Sequence, residues 1–150
     1  ELQRIVQLQL PVAAGLGAYI AGVTWFARNE AGTSKPAQLL GATIVIDLGL
    51  AWLIGFVMRF PMHYDTGWRT AWMLGIIAFT LNRRLIPLIR PITTPATPEE
   101  VQGAIRVLLL SVITLDASLV FFTTGDWQQA LLLLALLIPA MMLGRVLAMT

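Results

Sequence analysis

The chain has 150 residues, 57% of them apolar and only 12% charged, with mean hydropathy +0.78; soluble domains run at about 45–50% apolar and about 25% charged. A single soluble unit of this length cannot hide so much apolar surface, so hydrocarbon is the solvent that fits. The net charge of +2 is small and the arginines sit near segment ends, which excludes a nucleic-acid surface. Cysteine is absent and histidine occurs once, at His63, which removes disulfides, thiolate catalysis and cysteine- or histidine-built metal sites.

About 20 apolar residues cross a bilayer. The first such segment covers residues 5–26, with Pro11 near its first membrane turn and Ala14, Ala18 and Gly22 forming a small-residue stripe for close helix approach. The second covers residues 36–58, with Ser34 as N-cap and Pro36 in the first turn. The third, residues 70–89, has a short apolar run (71–81) interrupted by Asn82-Arg83-Arg84, so a re-entrant or interfacial segment competes with a full crossing. A connector follows with Pro87, Pro91, Pro95 and Pro98, too rich in proline to continue a helix. Thr97-Pro98-Glu99-Glu100 reads as a capping box opening the fourth segment, residues 101–122. Thr124-Gly125 ends it, Asp126 caps the fifth, residues 127–148, and Pro139 is expected to kink that helix. The expected fold is therefore all-α: one polytopic transmembrane bundle of about five spanning helices, the third open.

With five crossings, Arg28, Lys35, Arg83, Arg84, Arg90, Arg106 and Arg145 collect on one face, against Arg4, Arg59 and Arg69 on the other. The positive-inside rule makes the first face cytoplasmic. If the third segment does not cross, the loop at residues 28–35 faces outward. Glu1 opens inside expected helix and no signal peptide is visible, so the chain is expected to be part of a larger protein.

Ionisable groups inside a membrane are costly and point to function by default. Asp47, roughly 16 Å into its helix at 1.5 Å per residue, and Asp116, with Ser111, Thr114 and Ser118 nearby in sequence, are the two candidates. Each reads either as a proton relay or cation/diphosphate site, or as a structural carboxyl bonded to a neighbouring helix. The loop Arg28, Asn29, Glu30, Thr33, Ser34 and Lys35 gathers cations, a carboxylate and an amide at the membrane edge, a set suited to an anionic headgroup with Mg²⁺; an ordinary positive-inside loop is the alternative. His63-Tyr64-Asp65 lies in the opposite short loop, read as an exposed loop histidine. Of the tryptophans 25, 52, 68, 72 and 127, most fall at segment ends as interfacial anchors, and Trp52 is placed to line a cavity.

Tyr19-Ile20-Ala21-Gly22-Val23-Thr24-Trp25-Phe26-Ala27-Arg28-Asn29-Glu30-Ala31 resembles a stretch of the UbiA superfamily of intramembrane prenyltransferases, and more narrowly its divergent EboC-like branch. Val101-Gln102-Gly103-Ala104-Ile105, Leu115-Asp116-Ala117 and residues 139–150 extend the resemblance, which corresponds to the family's C-terminal half. It implies an all-helical bundle that transfers a polyprenyl group from a diphosphate donor to a small acceptor, the diphosphate held through Mg²⁺ by two aspartate-rich motifs. The second motif is similar to aromatic-Ala-x-x-Asp-x-x-Asp-Asp. Phe26-Ala27 and Glu30 keep its beginning, Thr33 and Ser34 replace its later acids, and the first motif is absent. Three helices follow the second motif in the family's simplest form, against four expected here.

The resemblance implies Arg28, Asn29 and Lys35 as diphosphate contacts and Glu30 as a metal ligand, in a bacterial inner membrane with loop 28–35 cytoplasmic. Besides bilayer lipid, a prenyl diphosphate donor and other membrane subunits are the partners implied. A non-catalytic isoprenoid-binding or structural subunit is the alternative function. No inverted repeat supports a transporter.

Overall fold

The computed structural model describes residues 2–28, 36–60, 65–89 and 96–147, with side chains over 9–28, 36–60, 65–89 and 96–142. Within them the chain is helical throughout: α1 (Leu2–Arg28), α2 (Pro36–Arg59), α3 (Thr66–Ile89), α4 (Pro98–Thr124), α5 (Trp127–Ala135) and α6 (Leu137–Leu147). Each helix packs on the next, α1 also closes onto α4 to complete a four-helix ring, and α5 and α6 attach to α4. Ser34, the expected N-cap of α2, lies outside the described residues.

Four helices are long and apolar enough to cross a membrane: Gln9–Arg28, Pro36–Arg59, Thr66–Ile89 and Pro98–Thr124. The open third segment is one of them. Its 24 residues span about 36 Å at 1.5 Å per residue, beyond the ~30 Å of hydrocarbon. Asn82 does not interrupt it, because both amide hydrogens find acceptors; Arg83 and Arg84 are exposed near its C-terminal end, where long side chains reach the interface. Pro87, expected in a helix-breaking connector, instead lies inside α3. The carbonyl it orphans is that of Arg83, close enough to the helix end to be solvated.

The capping box forms as expected. Thr97 Oγ1 accepts from Glu100 N at 3.3 Å and the Glu100 carboxylate accepts from Thr97 N at 2.9 Å. Gly125 closes α4 in the left-handed region at φ 67°, its N–H donating to Phe121 O, a conformation glycine adopts without steric cost. Asp126 then caps α5 through Gln128 N at 2.8 Å. Pro139 kinks the fifth segment as expected: at Leu136, still in the right-handed helical region at φ −65° and ψ −17°, the N–H turns back to Leu133 O at 3.0 Å. Pro139 removes the donor that would serve Ala135 O, and its ring crowds that carbonyl, so the disturbance appears one turn N-terminal to the proline. The expected fifth helix thus runs as two pieces, α5 and α6, with Leu136 alone between them.

The tightest seam joins α1 to α2. A Cβ added at Gly49 would stand 2.8 Å from both Gly15 O and Tyr19 N; one at Gly22 would stand 2.9 Å from Ile46 N and 3.0 Å from Ala42 O. The descending pairs 15–49 and 22–42 also make the two helices antiparallel. Close approach therefore runs through Gly15, Gly22, Ala42 and Gly49. Of the expected stripe only Gly22 is buried in this seam, Ala18 is half-buried and Ala14 is exposed. At this spacing Tyr19, 0% exposed, joins Val23, Ala42, Ile46, Leu50 and Leu53 in the core. The substitution Gly49→Ala should destabilise the bundle by about 1–3 kcal/mol through overpacking against backbone, read by denaturant unfolding in detergent. Gly55→Ala, where an added Cβ meets nothing within 4 Å, should be neutral or stabilising by up to about 1 kcal/mol.

Candidate functional site

Alternation of the helices gathers the C-terminal ends of α1 and α3 with the N-terminal ends of α2 and α4. Arg28, Arg83, Arg84 and Arg106 stand toward this end, all exposed, and among the described residues none forms an ion pair. Arg59 and Arg69 stand at the other end, where Arg69 is bound to Asp65 at 2.9 Å. Of the expected diphosphate loop, only Arg28 is described; Asn29, Glu30 and Lys35 lie outside the described residues, as do His63 and Tyr64.

Asp47, half-buried in α2, accepts from Asn82 Nδ2 of α3 at 2.9 Å, and the same amide also donates to Ala78 O at 3.1 Å. One carboxylate thus bonds two helices in the membrane interior. Among the described residues no group of three or more histidine, cysteine, aspartate or glutamate side chains lies together. Asp47 with one amide falls short of the octahedral oxygen set Mg²⁺ demands, and Glu30, the expected metal ligand, lies outside the described residues.

Asp116 stands apart. It is exposed on α4 between the buried Leu115 and Ala117, and no described residue bonds it. The hydroxyls near it in sequence turn back onto their own helix: Ser111 to Leu108 O at 2.6 Å, Thr114 to Ser111 O at 2.7 Å and Ser118 to Thr114 O at 2.8 Å. Thr114 and Ser118 each lie 200° around the helix from Asp116 at 100° per residue, so sequence proximity does not become a relay. Asp47 and Asp116 are not brought together: one is half-buried and bonded to α3, the other faces outward from α4.

A second polar cluster was not legible from segment-by-segment hydropathy. Tyr19 of α1 donates to Leu108 O of α4 at 3.0 Å and is hydrogen-bonded to Ser111 Oγ. Tyr19 and Asn82 are polar residues inside otherwise apolar helices, and that is the signal that marks them. Trp52, as expected, lines a groove of about 550 Å³ with Pro11, Phe56, Arg59 and Phe60. Its indole N–H donates to Pro11 O at 2.9 Å.

Two substitutions read these bonds. Tyr19→Phe should cost about 0.5–1.5 kcal/mol, while Asp47→Leu should cost about 0.6–1.7 kcal/mol and Asp47→Asn less, all measured by unfolding in detergent. If Asp47→Leu matched the parent protein, the α2–α3 bond would carry no stability.

Compared with known proteins, the chain matches no protein-family profile, no curated protein and no solved structure.

Proposed function

We propose that this chain is an isoprenoid-diphosphate-binding membrane bundle of the UbiA-like kind, a prenyltransferase or the C-terminal half of one. The observation that carries this reading is the gathering of four exposed arginines, with no ion pair among the described residues, toward one end of an apolar helical bundle. Guanidinium groups bind phosphate oxygens in charge-assisted, often bidentate bonds. The helices below offer apolar surface for an isoprenoid tail. In the transfer reaction the bond between the prenyl carbon and the diphosphate oxygen breaks, the diphosphate leaves with the electron pair, and the acceptor takes the prenyl cation and releases a proton. Arg28 and Lys35 would hold the departing diphosphate, with Asn29 and Glu30 beside it, and the transferred group would remain in the low-dielectric interior. On this reading the excess of arginine at this end makes it and loop 28–35 the cytoplasmic side, in the bacterial inner membrane that the UbiA-like resemblance implies.

The second reading, a non-catalytic isoprenoid-binding or structural subunit of a membrane complex, is favoured by one sequence fact. Glu30 is followed by Thr33 and Ser34 where the transferase motif carries its remaining acids.

The test is saturable binding of labelled prenyl diphosphate to purified protein, followed by transfer assays with Mg²⁺ and aromatic acceptors. Binding should exceed that of the matching prenyl alcohol, and the double variant R28Q/K35Q should weaken it about tenfold, or ~1.4 kcal/mol. Equal affinity for diphosphate and alcohol would overturn the proposal. Transfer abolished by Glu30→Ala would support the enzyme; binding without transfer would support the subunit.

A further inference from the structure

At the end opposite those arginines, two cavities meet at one aromatic pair. The outer one, about 660 Å³, is lined by Asp65, Thr66, Arg69, Phe121, Thr124, Gly125 and Trp127. The inner one, about 240 Å³, lies between α3, α4 and α5, with Met73, Ile76, Ile77, Ala117 and Leu134 among its walls. Phe121 and Trp127 line both, their ring centroids 4.3 Å apart. The mouth is polar and carries both signs of charge. The inner cleft is apolar in spite of Thr114 and Ser118, because both hydroxyls are taken up by backbone carbonyls of α4.

The surroundings fix the depth. The mouth lies at the N-terminal end of α3 and at the α4–α5 turn, and the exposed Trp68, Trp72 and Trp127 stand at the same end. Tryptophans placed at helix ends mark the headgroup layer. A cavity with a doubly charged mouth there, opening inward onto an apolar cleft, has the form of a lipid held by its head and one chain.

The mouth also selects the head. Arg69 uses Nε and Nη2 on the single oxygen Asp65 Oδ2, each at 2.9 Å. Among the described residues, Nη1 of the guanidinium and Oδ1 of the carboxylate keep free bonding capacity. Both side chains are about half exposed, at 55% and 45%. A guanidinium edge suits a phosphodiester and a carboxylate oxygen suits an ammonium. We infer that this two-part cavity is a binding site for a zwitterionic aminophospholipid of the phosphatidylethanolamine type. Its phosphate lies on Arg69, its ammonium on Asp65, and one acyl chain enters the cleft beyond Phe121 and Trp127. The site is independent of the diphosphate end, so either proposal stands if the other fails.

Native mass spectrometry of the delipidated full chain in detergent tests it, titrated separately with phosphatidylethanolamine and phosphatidylglycerol of identical chains. Phosphatidylethanolamine should be retained about fivefold more strongly. Asp65→Asn should erase that preference, and asparagine tolerates the positive φ of 74° found at residue 65; Arg69→Gln removes the phosphate contact common to both lipids and should lower retention of both. Ile76→Trp, at an exposed wall of the cleft, should lower retention of both lipids without touching the head contacts. Equal retention of the two lipids by the parent protein would overturn the inference, as would an unchanged preference in Asp65→Asn or unchanged retention of both lipids in Arg69→Gln. The R28Q/K35Q variant should keep the preference intact, and its loss there would place the lipid at the other end.

Discussion

Where α1 and α2 cross, two backbones lie almost against each other, and most of the bundle's geometry follows from that contact. Gly49 admits Gly15 O and Tyr19 N into space any side chain would occupy, and Gly22 does the same for the α2 backbone at Ala42 and Ile46. In lipid there is no hydrophobic gain from hiding one apolar helix against another, so association rests on packing and on internal hydrogen bonds. Close approach supplies the first. It also sets the second, since it holds Tyr19 where its hydroxyl meets Leu108 and Ser111 of α4, and puts Trp52 within reach of Pro11 O.

The polar groups divide by destination. Inside the ring, Tyr19, Ser111, Asp47 and Asn82 satisfy one another or the backbone, as a medium without water requires. The arginines lie outside and toward the ends. Two residues break the pattern. Thr70 is fully buried with no partner among the described residues, a cost of about 1–3 kcal/mol. Asp116 faces outward from the membrane-crossing α4 with none either. The exposed arginines thus divide between the two ends, Arg28, Arg83, Arg84 and Arg106 toward one and the Arg69–Asp65 pair with Arg59 at the other.

Much of this was legible in the sequence because it is local. Thr97 with Glu100, Asp126 and Gly125 announce helix ends through bonds made within a few residues, and the apolar runs announce crossings by length alone. What was not legible depends on neighbours. Asn82-Arg83-Arg84 looks like an interruption until Asp47 arrives from α2 to take the amide. Pro87 looks like a stop until its orphaned carbonyl is seen to fall near the helix end. Ala14, Ala18 and Gly22 have the right spacing for a seam, but the rotation of α1 that buries Tyr19 turns the contact toward Gly15 and leaves Ala14 outside. Of the candidate site, the basic end could be read from charge alternation. The mixed-charge cavity could not, because its walls come from α3, α4 and α5 at once.

The Tyr19–Leu108 bond joins residues 89 positions apart. At roughly 5–20 residues per second of synthesis, Tyr19 is made roughly 4–18 seconds before the partner of its hydroxyl exists, and α2 is complete roughly 2–10 seconds before it. Over that interval the glycine seam can form as an early hairpin, while the tyrosine donor must be satisfied by lipid headgroups, by water at the insertion site or by another protein. The arrival of α4 then ends that dependence. The bond that closes the ring is thus a marker that α4 has docked, and a chain interrupted before Leu108 leaves a paired hairpin whose inward tyrosine lacks its α4 acceptor.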